Sequence, residues 1–137
     1  MTADILPDDK LLRLALRLNA TFSAACGLLC LVAAAPLASR LGVPDSAILV
    51  GLGANLAIFA AFLVWLSTRV RIAPALVWAV IVADVLWVIG TVPLVAGENL
   101  SPFGDGAATF VALAVATWAT LQTVGLRRAQ AKAPRTA

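Results

Sequence analysis

The sequence predicts an all-α integral membrane protein, a four-helix up-down bundle with both termini cytoplasmic. Three observations carry that prediction. Hydrophobic residues make up 62% of the chain and charged residues only 12%; four apolar stretches are each long enough to cross a bilayer; and the basic residues gather on one side of those stretches. A mean hydropathy of +0.99 lies beyond the range of water-soluble domains, because a small fold leaves much of its surface exposed and could not hide that much apolar area. The 137 residues read as a single transmembrane domain at positions 1–137.

The first span is expected over about 14–37, after a cytoplasmic tail at 1–10. Its basic start, apolar run and small-residue stretch AAAPLAS also describe a secretory signal peptide. SAAC, ending at Cys26, invites a lipoprotein reading but lacks a Leu three residues ahead of the cysteine. The segment is read as a true span. The connector 38–46 holds Gly42 and Pro44, then Asp45 or Ser46 as N-cap for the second span, about 47–66. The connector 67–72 leads to Pro74, which suits the first turn of the third span, about 73–96, because its missing N–H would be unpaired there anyway. Pro93 is expected to open a kink near the outer end of that span. Residues 97–106 (GENLSPFGDG) are expected to form the only loop with a shape of its own, and its sequon at Asn99 is taken as loop chemistry. The fourth span covers about 107–126, with a second tail at 128–137.

Orientation follows from the cations, which are retained on the cytoplasmic side. Lys10, Arg13, Arg17, Arg69, Arg71, Arg127, Arg128, Lys132 and Arg135 fall on one side and Arg40 alone on the other. The expected location is therefore the bacterial cytoplasmic (inner) membrane, in one orientation. Lys10, Arg13, Arg17, Arg127 and Arg128 are placed to meet anionic lipid headgroups. The net charge of +3 does not point to nucleic acid, since the cations sit at membrane edges without aromatic interleaving or a binding module.

Asn19, Ser23, Cys26 and Cys30 are spaced 4, 3 and 4 apart, which puts them on one helix face as a candidate polar stripe. A quinone-linked thiol redox protein would use Cys26 and Cys30. The C-x-x-x-C spacing on a helix disfavours a disulfide, and no second cysteine pair exists to relay electrons. Packing is the expected role of both thiols. With two cysteines and no histidine, no four-ligand zinc site or bis-histidine haem can be assembled, and no Ser–His or Cys–His pair exists for nucleophilic catalysis. No cofactor or metal is expected, and the chain is read as non-enzymatic.

Asp84, alone in AVIVADVLWVIG, is the sharpest feature, because a carboxylate in mid-membrane is costly and such groups usually face the bundle interior. Counting along the helices puts it roughly 16 Å deep, near Asn55 at about 20 Å and Thr117 at about 14 Å. The candidate ligand or proton site is therefore Asp84 with Asn55, Thr91 and Thr117 as hydrogen-bond partners and Trp87 as a wall, Trp87 and Thr91 lying three and seven residues after Asp84. The plainer alternative is interhelical bonding by Asp84. Gly53, Ala57 and Ala61 form a small-residue face, as do Ala108, Ala112, Ala116 and Thr120, both suited to packing seams or oligomer contacts. Trp65 and Trp78 lie toward the cytoplasmic side, whereas Trp87 and Trp118 sit deeper.

The run ALVW.VIVADVLW at 75–87 and the closing LQTVGLRR at 121–128 resemble a group of small, functionally uncharacterised bacterial four-span integral membrane proteins. The resemblance implies a membrane bundle without a catalytic motif, and members of that group often carry Asn where Asp84 stands here. The expected function is an inner-membrane accessory subunit or small-ligand-binding protein, acting as a homo-oligomer or within a larger complex, with an apolar small molecule as candidate ligand. The alternative is a small proton-coupled transporter in which Asp84 binds and releases H⁺ in exchange for substrate.

Overall fold

A computed structural model describes residues 9–133 and contains five helices: α1 (Lys10–Val32), α2 (Ala34–Leu41), α3 (Ser46–Thr68), α4 (Pro74–Ala96) and α5 (Pro102–Lys132). Residues 1–8 and 134–137, which include Arg135, most of the first expected tail and the last part of the second, lie outside the described residues. All helices but the short α2 are long and apolar enough to cross a membrane.

The expected first span is divided. α1 ends at Val32 and the chain restarts as α2 beyond Ala33. Pro36 is the cause: in a continuous helix its ring would meet the carbonyl of Val32 and leave that carbonyl without a donor. α2 ends on Gly42, at a φ of 78° in the left-handed region, where a β-carbon would also strike the Ser101 nitrogen. Asp45 caps α3 by accepting from the Ala47 N–H at 2.8 Å, and Pro74 opens α4 as expected. Pro93 lies inside the last turn of α4, which continues past it to Ala96.

The fourth span departs more from expectation. α5 starts at Pro102, so the connector shrinks to residues 97–101. Ser101 is the reason: its hydroxyl accepts from the Gly104 N–H and donates to the Arg40 carbonyl, while its own N–H donates to Leu41 O at 2.9 Å. A serine cap followed by proline is a strong helix start, and the same residue ties the connector to the end of α2. At the other end α5 runs to Lys132, taking in residues expected in a tail. It stops at Ala133, one residue before Pro134, which disfavours helical conformation in its predecessor.

The long helices form a ring in chain order. α1 packs against α3 and α5, and α4 packs against α5, whereas α3 and α4 stay apart along most of their length. Glycines set the closest approaches. A β-carbon on Gly53 would lie 2.8 Å from the Gly27 carbonyl oxygen, and one on Gly125 would lie 2.8 Å from the Leu12 Cα. Of the expected small-residue face on α3, Gly53 is buried while Ala57 and Ala61 are exposed. On α5 the inner face is Val115, Ala119, Gln122, Leu126 and Ala129 rather than the face ending at Thr120, which is exposed.

One end of the ring is the tightest. Leu16 of α1, Leu63 and Leu66 of α3, Val77 and Val80 of α4 and Leu126 of α5 are buried there in one cluster. The Arg13 guanidinium donates to the carbonyls of Ser67 and Arg69, each at 2.8 Å, and so satisfies the end of α3. Arg13 thus serves a helix terminus, and Lys10, Arg17, Arg127 and Arg128 are exposed. Lys132 pairs with Asp9 at 3.1 Å, so both ends of the described chain meet at this end. The Arg69 guanidinium lies 4.2 Å from the centre of the Trp65 ring, a cation–π contact beside the α3–α4 connector.

Candidate functional site

Asp84 is 3% exposed because it continues the inner stripe of α4 formed by Val77, Val80 and Ile81, with Thr91 two turns further on. Its partner comes from the polar stripe of α1. Asn19 Nδ2 donates to Asp84 Oδ2 at 2.8 Å, and Ser23 Oγ donates to Asn19 Oδ1 at 3.3 Å. The two groups singled out in the sequence, the carboxylate and the stripe, are therefore one network crossing from α1 to α4. Gln122 of α5, with 0% exposure, lies beside Asp84, but its amide makes no hydrogen bond.

A cavity of about 110 Å³ opens next to the carboxylate. Ser23 and Cys26 of α1, Asn55 and Phe59 of α3, and Asp84 and Trp87 of α4 line it, together with Phe22 of α1. The Trp87 indole N–H has no hydrogen-bond partner. The cavity thus offers one carboxylate, an amide, a thiol and three aromatic rings in mostly apolar walls. No Lys or Arg is among its lining residues.

Several expected partners take other positions. Asn55 lines the cavity but is exposed and does not bond to Asp84; the donor is Asn19. The Thr91 hydroxyl donates to the Trp87 carbonyl at 2.9 Å. Thr117 is exposed and donates to the Leu113 carbonyl at 2.8 Å. Both threonines satisfy themselves within their own helices, so neither needs Asp84. Cys26 and Cys30 are free thiols, and they separate by role: Cys26 lines the cavity, whereas Cys30 is buried against Gly53 of α3.

Asn19 and Gln122 could have been joined to Asp84 by depth. With the helix ends as they stand, Asn19 is nine residues into α1, Asp84 ten into α4 and Gln122 ten before the end of α5, which puts all three about 14–15 Å from the same end. Only the assignment of helix ends concealed that layer. Among the described residues no group of three or more potential metal ligands converges. The arrangement can hold a proton or a small cation on Asp84. Comparison of the chain with models of known families, with curated proteins and with solved structures found no match.

Proposed function

We propose that this chain is a multi-pass protein of the bacterial inner membrane, with both termini cytoplasmic, that binds a small ligand at Asp84 and catalyses no reaction. The observation that carries this reading is the cavity beside Asp84: a carboxylate serving only to join helices has no need of open space next to it, whereas a binding group does. The cationic end formed by Arg13, Arg69, Arg71, Arg127, Arg128 and Lys132, opposite the lone Arg40, supports the orientation. Exposed Ala54, Ala57 and Ala61 on α3 suit contact with a second copy or with another subunit.

Native mass spectrometry of the protein released from its own membranes tests this reading. A small molecule retained by the wild type and lost in Asp84→Asn is the expected result, because the substitution keeps the shape and removes the charge. Equal retention by both proteins, or a packed bundle that never carries a molecule, would overturn it. Loss of pH-driven uptake into vesicles in the same variant would instead favour the proton-coupled transporter.

A further inference from the structure

The walls of the cavity and the gap in the helix ring together narrow the ligand. We propose that the Asp84 cavity takes a small organic cation, a protonated or quaternary amine of about five non-hydrogen atoms, which enters sideways from the bilayer between α3 and α4. The inference rests on the ligand-binding reading above and adds the chemical class and the route.

The class follows from charge. Asp84 receives a hydrogen bond from Asn19, but no basic side chain lines the cavity to neutralise it. A carboxylate in a low-dielectric setting is stabilised by a counter-charge far more than by a neutral donor. An anionic ligand would be repelled, and a neutral one would leave the charge uncompensated. Phe22, Phe59 and Trp87, drawn from three helices, line the same space. Aromatic faces attract ammonium groups, and most strongly where water is excluded.

Size and route follow from geometry. An apolar cavity of roughly 150 Å³ holds benzene, with its six heavy atoms; the 110 Å³ here suits something slightly smaller. The cavity reaches the surface where Asn55 on α3 and Ala83 on α4, both exposed, contribute to its lining. That flank is where the ring is open. The end of the bundle nearer Asp84 is closed by the cluster around Leu63 and Val77, so the side is the open approach. An alkylammonium, whose charged head stays near the interface and whose alkyl part dissolves in lipid, matches such an entrance.

Binding of tert-butylammonium and of its neutral isostere tert-butanol to the full chain in lipid nanodiscs, followed by saturation-transfer NMR, tests the proposal. Saturable binding of the cation, at least tenfold weaker in Asp84→Asn and at least tenfold weaker for tert-butanol, is the expected result. Ala83→Phe, which leaves the carboxylate untouched and fills the mouth, is expected to abolish binding while helical content and elution volume stay at wild-type values; it also provides a test should Asp84→Asn fail to fold. Equal binding of the alcohol and the cation would overturn the cationic class and leave an apolar binding site standing. Full cation binding in Ala83→Phe would overturn the route. If neither probe binds, the proposal fails, and if native spectra also show no retained molecule the ligand-binding reading fails with it.

Discussion

At the scale of residues, the stability of the site turns on the Asn19–Asp84 bond. Removing Asn19 strands both the Asp84 carboxylate and the Ser23 hydroxyl, whereas removing Asn19 and Asp84 together strands only Ser23, so the two losses do not add. Asn19→Leu is expected to destabilise the bundle by about 1–3 kcal/mol. In a double-mutant cycle with Asp84→Leu, unfolding in mixed micelles should give a favourable coupling of about 0.6–1.7 kcal/mol, the range of hydrogen bonds between membrane helices; zero coupling would mean that the bond seen here carries no stability. A second carboxylate acts outside the membrane span. Burial works against the charge on Asp9, but the Leu12 N–H, the pairing with Lys132 and the Leu11 N–H outweigh it and hold the carboxyl below its ordinary value of 3.8. A depressed native value stabilises the fold above the unfolded value, and the contribution is lost as pH falls through the native one. Asp9→Ala should therefore cost about 1 kcal/mol at pH 7, the usual worth of an N-cap, with the difference from wild type shrinking as pH falls through the lowered native value; a difference undiminished in acid would assign the effect to packing.

At the scale of elements, backbone contact between helices is set by glycines whose neighbours leave no room. Gly53 faces Gly27 across the α1–α3 seam, while Gly51, on the exposed side of the same helix, has nothing within 4 Å of its added β-carbon. Gly53→Leu should destabilise by about 1–3 kcal/mol through forced separation of α1 and α3, and Gly51→Leu should change stability by less than about 0.5 kcal/mol. Similar thermal shifts for the two would contradict the packing order. The small-residue spacing on α3 was visible in the sequence, but Gly27 and Gly125 were not marked by any repeat. Their significance lies in the partner each meets, which is a tertiary fact. The break at Ala33 and the early start of α5 did have local signals, Pro36 and the Ser101–Pro102 pair. Hydropathy, averaged over a window, runs straight across both.

At the scale of the whole molecule, the ring has a cationic end, where Asp9 meets Lys132, and an opposite end built from α2 and residues 97–101. Placing the cationic end in the cytoplasm predicts the reach of a membrane-impermeant maleimide. In a background lacking Cys26 and Cys30, Ser39→Cys should be labelled from outside intact spheroplasts, and Gln130→Cys only after lysis. The reverse pattern would invert the orientation. The loosened side of the ring between α3 and α4 is the asymmetry on which the proposed ligand route rests, because the cavity beside Asp84 is lined by exposed residues of both helices.

The class of the molecule, the four long helices, the segregation of charge and the inward placement of Asp84 were all legible in the amino-acid order. Each of these rests on composition or on position along one helix, where 1.5 Å per residue fixes depth once the ends are known. Tertiary structure alone decided which polar groups meet. Asn19 reaches Asp84 while Asn55 stays at the mouth of the cavity and Thr117 turns outward. Depth is a property of one helix, whereas a hydrogen bond between helices depends on how each is rotated about its axis, and that rotation is set by the fit of all the seams together.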